Sequence, residues 1–419
     1  MDYTFSEFSE RVSKDSGIVR LMQDLDVGLS PGSKTFFLGG GNPAIIDEVL
    51  DAISEANHDL LDSPEEYARA FGIYDHPAGN VAFREVLADY FSRKFTALIR
   101  KENILITNGS QSSFFLLFHL FAGKFQNGIK QVLFPILPEY IGYHDLGLFP
   151  DMFTAMEGKV RPLQKHRFVY EIDKEKLMAM LQDHHHEIGL LALSRPSNPT
   201  SRVLEKKILD EISTVTKKYS IPVLIDNAYG YPFPGVIFTE GEYEWHENFI
   251  LSFSLSKLGL PGLRTGIVVA EETVIERLSQ MQGIFSLSPG GIGPALVKKI
   301  FEANKMDDLC LSHVLPYYRE KSKIAQNVID DLLAKTRYFL HESQGAFFLW
   351  LWLPDLKISA EELYKKCAAE GVIIVPGHYF APKRTWPHLE QCIRISLARP
   401  DKELVVGLSL LCKIILENI

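Results

Sequence analysis

Between about residues 100 and 270 the chain repeats one pattern: a short unbroken apolar run, a turn, then an amphipathic stretch of helical period. Asn103–Thr107, Gln131–Pro135, Ile188–Ser194, Pro222–Asp226, Phe249–Phe253 and Gly266–Ala270 are the apolar runs. A strand with one wet face alternates apolar and polar residues, whereas a strand covered on both faces is apolar throughout. Unbroken apolar strands separated by helices therefore predict an α/β architecture, a mostly parallel sheet with helices on both faces. In such sheets ligands bind outside the carboxyl ends of the strands. The polar residues of this region stand at those ends.

One of these ends carries unusual chemistry. Ser252 to Arg264 reads Ser-Phe-Ser-Leu-Ser-Lys-Leu-Gly-Leu-Pro-Gly-Leu-Arg, with Lys257 inside a hydroxyl-rich segment and an arginine seven positions on. Hydroxyls and a guanidinium gathered about one amine suit a phosphate held beside that amine, which is what a pyridoxal phosphate site requires. Serine-rich turns before a lysine are also found as plain solvated loops.

The other strand ends supply matching groups. Thr107-Asn108-Gly109-Ser110-Gln111 is a strand–turn–helix junction, whose backbone N–H groups and helix N-terminus attract an anion; Ser110 as an ordinary helix cap accounts for it equally well. Asp226 closes the Pro222–Asp226 run with Tyr229 three residues later. A carboxylate there can pair with a protonated pyridine nitrogen, and a phenol can bond a ring oxygen. Each of these residues has an unremarkable structural explanation, but all of them in this order and spacing do not.

With those residues in place, the chain from Gly39 to Arg394 resembles the fold-type I pyridoxal phosphate aminotransferases. The resemblance implies pyridoxal 5'-phosphate as cofactor and Lys257 as the Schiff-base and proton-transfer residue. It assigns the phosphate to Gly109, Ser110, Gln111, Ser254, Ser256 and Arg264, and to Tyr74 reaching across a homodimer interface. Asp226 is implied as partner of the ring nitrogen, Tyr229 and Asn198 of the phenolic oxygen, and Tyr140 as the aromatic stacked on the ring. Arg394 is implied as the clamp on the substrate's α-carboxylate, with Asn198 beside it. Two departures stand out. Ser201 follows Asn198-Pro199-Thr200 where the family commonly has glycine, and the Lys257–Arg264 spacing is seven where many members have eight.

Longer phrases narrow the resemblance. Leu38-Gly39-Gly40-Gly41-Asn42-Pro43-Ala44, Pro138-Glu139-Tyr140-Ile141-Gly142-Tyr143 and Ser288-Pro289-Gly290-Gly291-Ile292-Gly293-Pro294 exceed what cofactor binding needs. They are similar to a branch that exchanges an amino group between valine and pyruvate, giving 3-methyl-2-oxobutanoate and alanine. That pair of substrates calls for a small, dry side-chain site, with Ile18, Gly40 and Tyr140 as its expected walls. A β-lyase or a transaminase for aromatic or dicarboxylic amino acids would keep the same fold. A regulatory module of this fold would carry a basic helix-turn-helix segment, and none is evident.

The remaining features bound the answer. A net charge of -9 and the absence of a long basic block argue against a nucleic-acid partner. Cys310, Cys367, Cys392 and Cys412 include no Cys-x-x-Cys pair and read as reduced core residues. The run of histidines at 184–186 reads as a solvated turn, so no metal is expected. The longest apolar segment, Phe114 to Ala122, is too short to span a bilayer, and the acidic N-terminus is unlike a signal peptide. A cytoplasmic enzyme acting on small amino and oxo acids is expected. Its expected organisation is an N-terminal segment, 1–45, packing on a small α+β domain at 306–419, with a large cofactor domain at 46–305.

Overall fold

A computed structural model describes residues 1, 3–13, 16–28, 35–149 and 151–419; residues 29–34 of the N-terminal segment lie outside it. Among the described residues, the central sheet has eight strands. Its order is Ile104–Thr107, Gly266–Val269, Phe249–Ser254, Val223–Asp226, Ile188–Ser194, Gly128–Leu137 and Gly123–Phe125, with Phe153–Glu157 also pairing Gly128–Leu137. Every residue of Ile104–Thr107, Ile188–Ser194, Val223–Asp226, Phe249–Ser254 and Gly266–Val269 is buried.

Alternate residues of these strands enter two separate cores. Leu105, Leu224, Ile250 and Val268 pack with Phe114, Leu117, Phe118, Ile275 and Leu278. Ile106, Ile225, Leu251 and Ile267 pack with Phe83, Leu87, Phe91 and Val297. The period of two thus sends each strand's apolar residues to both faces, where helices Ser110–Phe121 and Glu272–Ser286, or Val81–Phe95 and Ile292–Glu302, cover them. Each aliphatic side chain fully buried there contributes about 1.5–3 kcal/mol.

Gly266–Val269 runs antiparallel to both of its neighbours, Phe249–Ser254 and Ile104–Thr107. Only two single-turn helices, Leu255–Leu258 and Pro261–Leu263, join it to the preceding strand. A connection that short cannot carry a right-handed crossover, so the chain returns beside the strand it has just left. Arg264, just before this returning strand, is thereby brought to the edge that holds the carboxyl ends of the parallel strands.

A second sheet runs in the order Val375–Pro376, Cys392–Ser396, Phe348–Trp352, Phe339–His341, Arg167–Glu171 and Lys159–Pro162. Its last two strands come from within 46–305, so the hairpin 159–171 extends the C-terminal sheet rather than the central one. Polar, exposed Lys159 and Arg161 suit that outer edge. The N-terminal segment is bound to this side. Phe36–Phe37 pairs in parallel with Val372–Ile373, and Ser396 N–H donates to Leu38 O at 2.6 Å. Helix Gly17–Gly28 is tied to the same side by Arg20, which reaches Glu361 at 2.9 Å and the Tyr379 hydroxyl at 3.0 Å.

Candidate active site

The carboxyl ends of the central strands open on a cleft of about 620 Å³. Backbone pairing levels these ends. Asp226 lies opposite Ser194 on one side and Ser252 on the other, while Gly266 lies opposite Ser254 and Thr107. Residues one to four positions beyond each strand therefore converge on one space.

Asp226 lies at the floor. Its Oδ2 accepts from the Tyr143 hydroxyl at 2.8 Å and its Oδ1 from Ala228 N–H at 2.9 Å. Burial pushes its carboxyl up to about 6, against the pull of those two donors and of Lys257. It is thus a shielded carboxylate whose charge calls for a cationic partner. The Tyr229 hydroxyl is buried with no hydrogen-bond partner, as is Ser252 Oγ on the neighbouring strand. An orphaned phenol in a buried wall is costly unless a bound group accepts its proton.

Lys257 sits above, its Nζ donating to Gly41 O at 2.6 Å and lying 5.7 Å from the centre of the Tyr229 ring. Burial lowers its amine to about 8, and the positive charge of Arg394 acts in the same direction. A neutral amine, able to form a carbon–nitrogen bond or take up a proton, is accordingly accessible near neutral pH.

The anion end of the cleft is built by the strand–turn–helix junction. Gly109 adopts φ +91°, a backbone that favours glycine, and a Cβ there would meet the Arg264 guanidinium at 2.5 Å and displace it from this corner. The twelve-residue helix Ser110–Phe121 begins next to it with its N–H groups facing the cleft end. Ser110, Gln111, Ser254, Ser256 and Arg264 all line the cleft. The Gln111 side chain is committed to Gly142 O at 2.9 Å, which leaves its backbone to serve a ligand. Arg264 Nη2 reaches Asn108 O at 3.4 Å, so the seven-residue spacing still delivers the guanidinium to this corner.

Arg394 comes from the second sheet. Nη1 donates to Asn198 Oδ1 at 2.7 Å and Nη2 to Gly39 O at 2.5 Å, while Nε is buried without a partner. The guanidinium lies 4.2 Å from the Phe348 ring centre and 5.1 Å from that of Phe380. Burial lowers it to about 10, which still leaves it charged at neutral pH. A buried fork with an open donor is suited to a carboxylate.

Ile18, Gly40, Tyr140 and Asn198 line the same cleft. Tyr74 does not; it is 80% exposed on the outer surface, away from this chain's own cleft. Ser201 holds φ +62° and donates its Oγ to Phe348 O at 2.7 Å, so serine keeps the left-handed turn in which the family commonly has glycine. His184 and His186 are exposed, and no group of three or more metal-ligating side chains occurs among the described residues. His119 bonds Phe115 O at 2.7 Å and receives Leu148 N–H at 3.2 Å, a satisfied histidine within a helix.

Sequence reasoning missed four residues. Leu21 and Met22 lie one turn beyond Ile18 and line the cleft beside it, as the helical period could have indicated. Tyr143 and Glu139 flank Tyr140 in the quoted phrase, but nothing in the spacing reveals that one bonds Asp226 and the other Ser194.

The donor set fits a phosphorylated pyridine: a carboxylate for a ring N–H, an orphaned phenol for a ring oxygen, an amine, and a helix N-terminus with serines and an arginine for a phosphate. Comparison with known proteins agrees. The family model described as aminotransferase class I and II matches residues 36–408. The chain is 41% identical to valine–pyruvate aminotransferase of Escherichia coli K12 over 98% of its own length and 97% of that protein. Among solved structures, a putative amino-acid aminotransferase from Psychrobacter arcticum superposes with TM-score 0.94 at 35% identity, covering 100% of this chain and 99% of that one. Valine–pyruvate aminotransferase from Salmonella typhimurium LT2 superposes with TM-score 0.86 at 39% identity, covering 96% and 99%. The chain belongs to the class I and II aminotransferases, a family that uses pyridoxal phosphate.

Proposed function

We propose that this class I and II aminotransferase exchanges an amino group between L-valine and pyruvate, yielding 3-methyl-2-oxobutanoate and L-alanine. The observation that carries the reading is the apolar part of the cleft lining. Ile18, Leu21 and Met22 present an apolar surface there, and among the described residues the cations lining the cleft are Lys257, Arg264 and Arg394. Lys257 and Arg264 are engaged by the amine and phosphate chemistry, so a second carboxylate on a substrate side chain finds apolar surface instead of a partner. The identity with the valine–pyruvate relatives supports the same pair of substrates.

When bound, pyridoxal phosphate supplies an aldehyde that takes up the amino group and a ring that spreads the charge left on the substrate's α-carbon. Asp226 would hold the ring nitrogen, Tyr229 and Asn198 the phenolic oxygen, and Tyr140 a ring face. Gly109, Ser110, Gln111, Ser254, Ser256 and Arg264 would hold the phosphate. Arg394 grips the α-carboxylate of either substrate and fixes the orientation of its α-carbon. Lys257 Nζ, whose neutral form burial makes accessible near neutral pH, takes the α-proton and returns it.

A homodimer completes this reading. Tyr74 would reach a second copy's phosphate site, and the exposed apolar Phe71, Ile73, Ile284, Phe285 and Leu287 would be covered by that copy. A cytoplasmic setting fits the four unpaired, buried cysteines. No helix among the described residues is long and apolar enough to cross a membrane.

Single-turnover absorbance changes of the pyridoxal phosphate-loaded enzyme, mixed with one amino acid at a time, test the substrate pair. Valine and alanine should react at comparable rates, and aspartate about 100-fold more slowly. Aspartate reacting as fast as valine would overturn the assignment.

A further inference from the structure

Glu139 is a buried carboxyl that the chemistry above does not use. It is 3% exposed, immediately precedes Tyr140, and sits where the central sheet meets the second one. Its Oε1 accepts from Ser194 N–H at 2.9 Å; its Oε2 bonds Ser194 Oγ at 2.6 Å and accepts from Tyr140 N–H at 3.1 Å. Its own N–H donates to Phe380 O at 2.9 Å, and the Phe380 ring packs on Arg394. Ser194 Oγ in turn accepts from Asn198 N–H at 3.2 Å, and Asn198 Oδ1 accepts from Arg394. Ser194, Asn198 and Arg394 are 4%, 5% and 1% exposed, so these links are shielded from bulk water.

We propose that Glu139 is a positioning residue, setting the carboxylate-binding geometry of Arg394 through a Ser194–Asn198 relay. A guanidinium on a long side chain has several rotamers, and bidentate recognition tolerates little misplacement. Asn198 supplies the acceptor that selects one of them. The backbone of Asn198 is itself pinned by Ser194 Oγ, and Glu139 fixes that hydroxyl by gripping Ser194 at both its N–H and its Oγ. The relay works whichever of Glu139 and Ser194 contributes the shared proton, because Oγ retains a lone pair for Asn198 N–H in both cases. The second arm of Glu139, to Tyr140 N–H, orients the ring-stacking residue from the same carboxyl.

The inference rests on the role proposed for Arg394, and the test separates the two. The loaded enzyme is titrated calorimetrically with 3-methylbutanoate, which offers the carboxylate without a reacting amine, while the cofactor absorbance is recorded. Ser194→Ala removes one hydroxyl from the relay without creating a large void. Glu139→Gln sets an NH₂ group against Tyr140 N–H or Ser194 N–H. Each should weaken 3-methylbutanoate binding about tenfold, with the cofactor retained. The double variant should be no weaker than the worse single one, since both cut the same chain of bonds. Unchanged binding in both single variants, with Arg394→Gln abolishing it, would overturn the relay and leave the role of Arg394 standing. Multiplied effects in the double variant would also overturn the relay. Wild-type binding that survives Arg394→Gln would overturn both readings.

Discussion

The two walls of the cleft are built on different principles. On one wall Asp226, Ser254 and the turn bearing Lys257 stand at or just beyond ends of adjacent strands, and their heights are set by backbone register, with Ser194 and Ser252 both opposite Asp226. A one-residue slip would turn every side chain of a strand to the opposite core, so the register is firmly specified. The other wall offers a single functional group, Arg394, from the middle of Cys392–Ser396. Its guanidinium is held by side-chain and loop contacts to Asn198 and Gly39, 196 and 355 positions away in sequence. The first wall is secured by the sheet itself, and the second by a few hydrogen bonds across the boundary between sheets. Damage to the first should therefore remove chemistry while leaving binding intact, and damage to the second should do the reverse.

Lys257→Ala gives the sharpest test of the first half of that statement. Turnover should fall by about 10⁴-fold or more, yet pyridoxal phosphate should still bind, because the helix N-terminus, Arg264, Asp226 and Tyr229 are untouched. Equilibrium dialysis with absorbance detection measures the second outcome; loss of cofactor along with activity would break the comparison. Arg394→Lys probes the other wall at smaller cost. Lysine keeps the charge but loses the fork and its packing between Phe348 and Phe380, so kcat/KM for valine should drop about 100-fold, mainly through KM. A fall confined to kcat would mean that Arg394 acts in the chemical step instead.

The mildest prediction concerns the joint between the walls. Burial pushes the Glu139 carboxyl up to about 8, against its three hydrogen-bond donors. An unfolded chain would release that proton near the ordinary carboxyl value of about 4.5. Between those values the folded state binds more protons than the unfolded one, so stability falls as pH rises through that window. Glu139→Gln removes this term. The stability of wild type relative to the variant should decline by on the order of a few kcal/mol from pH 4.5 to 8, as read from urea midpoints of the cofactor-free proteins. Parallel pH profiles would show that the Glu139 carboxyl titrates alike in both states.

Much of the central sheet was legible because its strands are unbroken apolar runs, and much of the first wall because its groups fall in compact phrases such as Ser252–Arg264 and Asp226–Tyr229. The antiparallel return of Gly266–Val269 was not anticipated, since its direction follows from the brevity of the preceding connection rather than from its own composition. The hairpin 159–171 was not anticipated, for a related reason. Its pairing partner, Phe339–His341, is contributed from far along the chain, and local pattern carries no record of it. Tyr143 and Glu139 escaped notice because an aromatic and an acid beside a turn are common; their meaning comes from Asp226 and Ser194, which the fold places against them.

The sequence by itself determined the α/β class, the edge at which the cleft opens, and the lysine, carboxylate and phenol that meet there. Those follow from periodicity and from short phrases in which the chemistry is contiguous. Only the tertiary structure decided that Arg394 faces Asn198 with an open donor, that Ile18 is joined by Leu21 and Met22 in an apolar wall, and that Glu139 ties the two walls together. The physical reason is that burial and long-range hydrogen bonding, rather than residue type, set which rotamer a guanidinium keeps and how readily an amine or a carboxyl is charged.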